Sequence, residues 1–272
     1  MSTMSLSLTS AAAFVAGYRN PYVRDEGLVD YQVDLLAPFG VPFDERFLQR
    51  GPGIAFQELA EHVLCRLPEP PAADLIVVAY GLSDLYPFRC VGGHVDRLLG
   101  GGSENFAVSE QGLRAPFTAL RIADAYAKSG RCRKGAVVVL EQSTFGHDDP
   151  IVRGGLADSA AVLVLGAGGP WVIDPIPPAS DDLAALIGRA ADGVPALVVA
   201  GPWTDPAAAA APGLPVHRVD SGSYCTSVWL DLARHHETWA QTEVALVLCD
   251  TDPRTGRSHA ALLRRRTEED SP

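Results

Sequence analysis

One loop near the middle of the sequence contains the residue types of a hydrolytic triad. It holds Ser143, His147 and two acidic residues, Asp148 and Asp149. In such a triad the histidine takes the proton of the attacking serine, and a carboxylate orients the histidine. No nucleophile-elbow spacing accompanies these residues, so capping of the loop by its polar side chains is the simpler interpretation. Ser143, with His147 as its general base, is nevertheless one candidate nucleophile.

Cys225 is a second candidate nucleophile, because it lies in the turn before a helix that is predicted to begin near Ser227. A helix N-terminus lowers the pKa of a nearby thiol. The simpler interpretation is a buried cysteine that packs under the helix. The five cysteines of the chain are Cys65, Cys90, Cys132, Cys225 and Cys249. Their spacing matches no CxxC or Cys/His zinc motif and suits a reducing compartment.

Two adjacent histidines, His235 and His236, lie on the same predicted helix. Neighbouring residues of a helix point to different faces, so this pair cannot chelate one metal ion together. A position at the surface or at an interface is the interpretation that we favour for both. The sequence thus predicts no metal site and no cofactor.

The composition narrows the classes of partner. The chain has 272 residues, of which 47% are hydrophobic, and a formal net charge of −11. A chain of this size can bury a large core as one domain or as two tightly joined halves. The negative charge argues against nucleic acid, because phosphate binding needs concentrated Lys and Arg. The N-terminal stretch MSTMSLSLTSAAAFVAGY has no positive n-region or long apolar run, so we expect a cytoplasmic protein without membrane contact.

The rest of the chain is organised around the stretch Phe106 to Gly130. Pro116 fits the first turn of a helix, because the N–H that it lacks would have no partner there. The helix then runs through small and apolar residues with hardly any polar face, which is typical of a helix buried on most sides. Lys-Ser-Gly and the apolar strand Ala136 to Leu140 follow it.

This order of parts resembles the nucleophile segment of the thiolase-like superfamily, in its β-ketoacyl synthase III and chalcone synthase branch. The strand Asp74 to Tyr80 resembles the family segment DLIIVAT. Ala157 to Leu165 resembles GDGAGAAVL, and SGSYCTSVWLDLARHH resembles GNTSAASVPLALDEA. The matching segments run from about Ile54 to Pro175 and again from Leu214 to Arg264.

The resemblance implies an α/β protein with the five-layered αβαβα fold, built from two pseudo-repeated halves. We expect an N-terminal half at residues 1–176, a shortened C-terminal half at 177–266 and a flexible tail at 267–272. Members of the superfamily dimerise through the strand beside the nucleophile segment, here Ser103 to Val108. An exposed edge strand would otherwise be a liability.

The resemblance also implies three catalytic positions, and none carries the expected residue. A cysteine is acylated in these enzymes, while a histidine and an asparagine assist decarboxylation and hold the enolate oxygen. In chain order, the cysteine, histidine and asparagine positions fall on Gly112 or Leu113, on Pro202 or Trp203, and on Gly222 or Ser223. We predict that the triad is degenerate and that Leu113 or Arg114 fills the former site.

The expected function is that of a pseudoenzyme without condensing activity of its own. It would be the non-catalytic partner subunit of an active ketosynthase or acyltransferase in polyketide, fatty-acyl or other secondary-metabolite biosynthesis. One alternative is an acyltransferase or thioesterase that acts on acyl-carrier-protein or acyl-coenzyme A thioesters through Cys225 or Ser143. Another is a homodimeric scaffold that binds an acyl group or a carrier protein. The partners expected are a second copy or a Cys-containing ketosynthase-like subunit.

Overall fold

The computed structural model describes residues 6–267, and residues 268–272 of the predicted flexible tail lie outside the described residues. The strands are β1 Ser7–Val15, β2 Leu75–Tyr80, β3 Glu104–Val108, β4 Gly135–Glu141, β5 Ser159–Gly166, β6 Trp171–Ile173, β7 Leu197–Ala200, β8 Val216–Arg218, β9 Ala245–Thr251 and β10 Ser258–Arg265. The helices are α1 Glu26–Leu36, α2 Glu45–Arg50, α3 Phe56–Leu64, α4 Val91–Leu98, α5 Ala115–Lys128, α6 Leu183–Ala191, α7 Pro206–Ala210 and α8 Ser227–Thr242. Short 3₁₀ turns span Ala37–Phe39, Gly112–Arg114 and Val152–Gly154.

The strand topology repeats itself once. The sheet order is β3-β2-β4-β5-β1-β6-β10-β9-β7-β8, so the first five strands and the last five have the same arrangement. In the first unit β2 is parallel to β3 and β4, and β5 is antiparallel to β4 and β1. The second unit repeats this pattern, with β7 parallel to β8 and β9, and β10 antiparallel to β9 and β6. The second repeat thus starts with β6, ahead of the division at residue 177 that the sequence predicts.

The two units join where β1 and β6 pair. Ser7 pairs with Val172 and Leu8 pairs with Trp171. Gly169 makes this junction possible, because a Cβ atom there would lie 2.0 Å from the carbonyl oxygen of Leu8. No side chain fits at that distance, so the turn into β6 needs a glycine.

Alternating side chains of the strands build the layers. In β2, Ile76 and Val78 pack with α3 and α4 on one face, while Val77 and Ala79 belong to a central core on the other. This period of two buries both faces of the strand. In the second unit, Val198 and Val247 pack with α6 and α7. The central core joins the inner faces of both units through α5 and α8. Five layers result, which confirms the predicted fold class.

The two central helices contact each other through large aromatic side chains. Phe117 of α5 packs edge-on against Trp229 of α8, with ring centroids 4.9 Å apart. Both side chains are about 1% exposed. Such a pair adds about 0.5–1.5 kcal/mol to the gain from burying its area. In the described part of the chain, no helix combines the length and the apolar character that a membrane crossing requires.

Candidate functional site

The turn between β3 and α5 has an unusual backbone. Glu110 and Gly112 have positive φ angles of 56° and 55°. A residue with a Cβ atom pays roughly 1–2 kcal/mol in this left-handed region, whereas glycine enters it freely. The chain then passes through the 3₁₀ turn Gly112–Arg114 into α5. Gly112 therefore stands at the start of the central helix in a conformation that favours glycine.

The space beside Gly112 is filled by two side chains from the second unit. A Cβ atom on Gly112 would lie 2.5 Å from the hydroxyl oxygen of Tyr224 and 2.6 Å from Oδ2 of Asp252. The Tyr224 hydroxyl donates a hydrogen bond to Oδ1 of Asp252 over 3.1 Å. Burial, together with the charge of Asp252, raises the pKa of Tyr224 above its ordinary value. The phenol therefore stays protonated.

The loop after β7 reaches the same place. The indole N–H of Trp203 donates to the carbonyl oxygen of Ser223 over 2.9 Å, and its ring packs edge-on against Tyr224 with centroids 6.0 Å apart. Pro202 is half-buried beside it. Gly222 has a φ of 105°. The structure thus brings the three sequence-predicted positions together around the Tyr224 ring.

A cleft of about 970 Å³ opens at Gly112. Four arginines that line it are Arg114, Arg121, Arg254 and Arg257. Arg254 pairs with Asp149 over 2.9 Å, and Arg257 lies 3.5 Å from Asp181. Among the described residues no carboxylate pairs with Arg114 or Arg121. The cleft is also lined by Glu110, Asp149 and Asp252, so its cationic groups without a carboxylate partner among the described residues are Arg114 and Arg121.

Leu113 and Arg114, the two residues that the sequence predicts to fill the former site, lie in different surroundings. Leu113 is 1% exposed and packs into the central core. Arg114 is exposed on the cleft wall, where its Nε donates to the side-chain oxygen of Gln111 over 3.1 Å. The side-chain atoms nearest to a Cβ atom on Gly112 belong to Tyr224 and Asp252.

His259 of β10 also lines the cleft. Its ring packs against Phe117 with centroids 5.6 Å apart. Burial lowers its pKa to about 4, and the nearby charge of Arg114 acts in the same direction. At neutral pH the imidazole is uncharged, so the positive charge of this cleft comes from the arginines.

Cys225 is not placed as a nucleophile. It is 1% exposed and is not among the residues that line the cleft. Burial raises its thiol pKa well above the ordinary value, and the charge of the neighbouring Glu141 adds to this. The lowered pKa that the sequence suggests for this helix-start position is therefore wrong, since burial outweighs the helix N-terminus.

Glu141 is a buried residue that the sequence analysis missed. It ends β4, and its carboxyl accepts hydrogen bonds from the backbone N–H groups of Tyr224 and Cys225 and from Oγ1 of Thr226. Burial raises its pKa to about 7. Glu141 therefore anchors the segment that carries Tyr224. The available signal was an acidic residue directly after the apolar run Ala136 to Leu140.

Ser143 and His147 do not form a catalytic pair in the described chain. Ser143 is 7% exposed, and its hydroxyl donates to Oδ1 of Asp158 over 2.6 Å. His147 lies on the cleft wall, where its ring contacts Phe145. Asp149 accepts a hydrogen bond from the backbone N–H of Ile151 over 2.8 Å. These contacts fit the interpretation of a loop capped by its own polar residues.

Comparison with solved structures gives the fold a name. OleA of Xanthomonas campestris with bound acetamide superimposes with a TM-score of 0.66 and 13% identity, over 97% of this chain and 100% of that one. The 3-oxoacyl-(acyl carrier protein) synthase III, FabH, of Pseudomonas aeruginosa PAO1 gives 0.65 and 15%, over 97% and 99%. The synthase III of Aquifex aeolicus VF5 gives 0.63 and 16%, over 96% and 100%. No family profile and no curated protein matches the sequence. The fold is the thiolase-like fold of these synthases.

Proposed function

We propose that this protein is a ketosynthase-III-like subunit that binds acyl thioesters without condensing them and serves an active ketosynthase or acyltransferase as its partner. The observation that carries this proposal is the filled space at Gly112. A cysteine there would need a Cβ atom 2.5 Å from the Tyr224 hydroxyl. A cysteine at this position would therefore require the Tyr224 and Asp252 side chains to move.

The other two catalytic positions support the same conclusion. Where a condensing enzyme of this fold carries its histidine, this chain has Pro202 and Trp203, and the indole is committed to Ser223 over 2.9 Å. Gly222 and Ser223 stand in the asparagine position. None of these groups supplies an imidazole or a side-chain amide to hold an enolate oxygen. Decarboxylative condensation would lack both its nucleophile and its oxyanion donors.

The cleft supports retained ligand binding. Its volume of about 970 Å³ is at the upper end of the range for small-molecule sites, roughly 300–1,000 Å³. Arg114 and Arg121 provide guanidinium groups that match the phosphates of coenzyme A or of a phosphopantetheine arm. An acyl thioester carrier is thus the ligand that we propose.

The partner surface that we propose is the edge strand β3. It stands at one end of the sheet order, so one of its edges has no neighbouring strand within the described chain. A second strand of a synthase subunit or of another copy would complete its hydrogen bonding. A cytoplasmic location and a role in polyketide, fatty-acyl or other secondary metabolism belong to this proposal. All five cysteines are free thiols, as expected in a reducing compartment.

The test measures condensing activity, the formation of a covalent adduct and the formation of a complex with a partner. The purified protein is incubated with acyl-coenzyme A and malonyl-coenzyme A, and we expect neither a condensation product nor a covalent adduct in the intact mass. Co-expressed with a Cys-containing ketosynthase from its own host, the chain should form a stoichiometric complex. Ala107→Pro removes a backbone N–H from β3 and should weaken that complex. Ala107→Val keeps the backbone N–H at the same exposed position and is the matched control.

Three outcomes would contradict the proposal. Condensation by the purified protein alone would show that the site is active. A covalent adduct lost in Cys225→Ala or Ser143→Ala would favour the acyltransferase or thioesterase alternative. A stable homodimer that binds acyl-coenzyme A and ignores the ketosynthase would favour the scaffold alternative.

A further inference from the structure

Three potential metal ligands from two elements meet on the side of the second unit. His217 belongs to the edge strand β8, and Asp231 and His235 lie one helical turn apart on α8. One ligand atom from each lies within 4.8 Å of the other two. The closest pair is Nε2 of His217 and Oδ2 of Asp231, which are 2.8 Å apart.

The surrounding hydrogen bonds determine which nitrogen of His235 carries a proton and which oxygen of Asp231 faces the histidines. Nδ1 of His235 lies 2.9 Å from the backbone oxygen of Asp231, and a carbonyl oxygen only accepts. Nδ1 must therefore carry the proton, which leaves a lone pair on Nε2. Oδ1 of Asp231 accepts from Arg234 over 3.0 Å, so Oδ2 is the oxygen that faces the histidines. Metal-binding histidines and carboxylates are commonly oriented by such outer bonds.

Trp239 gives the cluster an apolar side. Its ring stacks on His235 with centroids 5.0 Å apart and packs edge-on against His217 at 5.3 Å. The Asp231 side chain is only 10% exposed, whereas that of His217 is 32% exposed. The carboxylate is thus held in a largely dry place, and the cluster remains open to solvent on the side of His217.

We propose that His217, Asp231 and His235 bind a divalent transition-metal ion, for which Zn²⁺ is the best match. Two imidazole nitrogens and one carboxylate oxygen are a common zinc ligand set that leaves the fourth position to water. Bond lengths of about 2.0–2.2 Å place tetrahedral ligand atoms about 3.3 Å apart, so modest side-chain rotation suffices. Zn²⁺ binding requires a change of tautomer in the neutral His217 ring: the proton between Nε2 and Asp231 leaves to water, Nδ1 takes one up from water, and Nε2 then offers its lone pair to the ion.

The ion would have a structural effect. β8 is a three-residue strand at one end of the sheet order, and within residues 6–267 it pairs only with β7. A metal bond from His217 to two residues of α8 would tie this short strand to the central layer. Because Arg234 places a positive charge beside Asp231, we expect weaker binding than at a zinc site with four protein ligands. The inference revises the expectation of no metal site and is independent of the proposed function.

The experiment uses the full-length, untagged protein after removal of metal with EDTA. Zn²⁺ is titrated in competition with a coloured chelator, and the melting temperature is recorded with and without Zn²⁺. We expect one Zn²⁺ per chain and a rise in melting temperature, because a ligand that binds only the folded state stabilises it. His217→Asn and His235→Gln should each weaken binding about tenfold or more and lose the rise. His94→Gln is the matched control, since His94 lies 2.8 Å from Glu61 without a second imidazole.

A measurement without substitutions covers the case in which a variant fails to fold. Diethyl pyrocarbonate modifies accessible imidazoles, and the modified peptides are mapped by mass spectrometry. Zn²⁺ should protect His217 and His235 and leave the modification of His94 unchanged. The proposal is overturned if the wild-type protein binds no Zn²⁺, if folded variants bind it as tightly as wild type, or if protection is the same at all three histidines.

Discussion

The hydroxyl oxygen of Tyr224 lies 2.5 Å from the point that a Cβ atom on Gly112 would occupy. The two residues are far apart in sequence and belong to different repeats of the fold. Gly112 begins the segment that leads into α5, and Tyr224 precedes α8. The starts of the two central helices are thus fitted against each other at the floor of the cleft.

Substitution of Gly112 by alanine should destabilise the protein strongly. Alanine would have to adopt a left-handed backbone conformation there, and its methyl group would overlap with the side chains of Tyr224 and Asp252. We expect a loss of about 3 kcal/mol in the free energy of unfolding, measured by denaturant titration. Gly130→Ala, at a φ of 76° with open space around it, isolates the backbone cost and should lose only about 1 kcal/mol.

Gly188→Ala completes this series, because its site in α6 is open and its φ is not positive. It should leave stability unchanged or raise it by about 0.5–1 kcal/mol. Equal losses at Gly112 and Gly130 would mean that Tyr224 does not fill the space in solution.

The buried carboxyl of Glu141 should make stability depend on pH. Its pKa is raised from 4.5 to about 7 mainly by burial, so the folded state holds this proton more tightly than the unfolded state. The stabilisation of the folded state by this proton is fully present below the ordinary pKa of 4.5 and is lost as pH rises toward 7. At about 1.4 kcal/mol per pH unit, it amounts to at most about 3 kcal/mol.

Glu141→Gln should flatten the decline in unfolding free energy between pH 5 and pH 8, as measured by denaturant titration at each pH. The slope is the readout, since the amide also alters the hydrogen bonds to Tyr224 and Cys225. Glu104→Gln, at an exposed carboxylate of β3, should keep the wild-type slope. A wild-type slope in Glu141→Gln would assign the pH dependence to other buried acids, such as Asp250.

Arg114 and Arg121, which pair with no carboxylate in the described part of the chain, should govern the binding of anionic ligands. Loss of a charge-assisted hydrogen bond costs about 1.5–3 kcal/mol, so Arg114→Ala or Arg121→Ala should weaken coenzyme A binding about tenfold or more. Calorimetric titration measures this, and added salt should reduce the difference. Arg189→Ala, on the exposed surface of α6, should bind as wild type does. Equal affinities in all the variants would show that coenzyme A binds outside this cleft.

The cysteines should differ sharply in reactivity toward iodoacetamide. Cys65 and Cys90 are exposed, whereas Cys132, Cys225 and Cys249 are buried. Burial raises the thiol pKa of Cys132 to about 11 and that of Cys225 well above its ordinary value. Peptide mass mapping of the native protein should find label on the two exposed thiols first, and on Cys225 only after unfolding. Rapid labelling of Cys225 would restore it as a candidate nucleophile.

Several features were accessible from the sequence because they depend on neighbouring residues. The apolar run Ala136 to Leu140 and the helix that starts around Pro116 are local patterns. Their order along the chain resembles that of the thiolase-like superfamily, and this resemblance implied the five-layered fold. The residues at the predicted catalytic positions, Gly112 or Leu113, Pro202 or Trp203, and Gly222 or Ser223, were likewise readable one residue at a time.

The tertiary structure decided what occupies the space near those positions. Tyr224 and Asp252 reach Gly112 from another repeat, and no pattern around residue 112 indicates which distant side chain arrives there. The same holds for His217, which meets Asp231 and His235 across two elements, and for Cys225, whose reactivity depends on burial and on Glu141. Periodicity and helix signals act over a few residues, whereas steric exclusion, desolvation and ligand geometry depend on contacts between residues far apart in the chain. The sequence alone was therefore sufficient for the fold, and the packed core determined the chemistry available at the site.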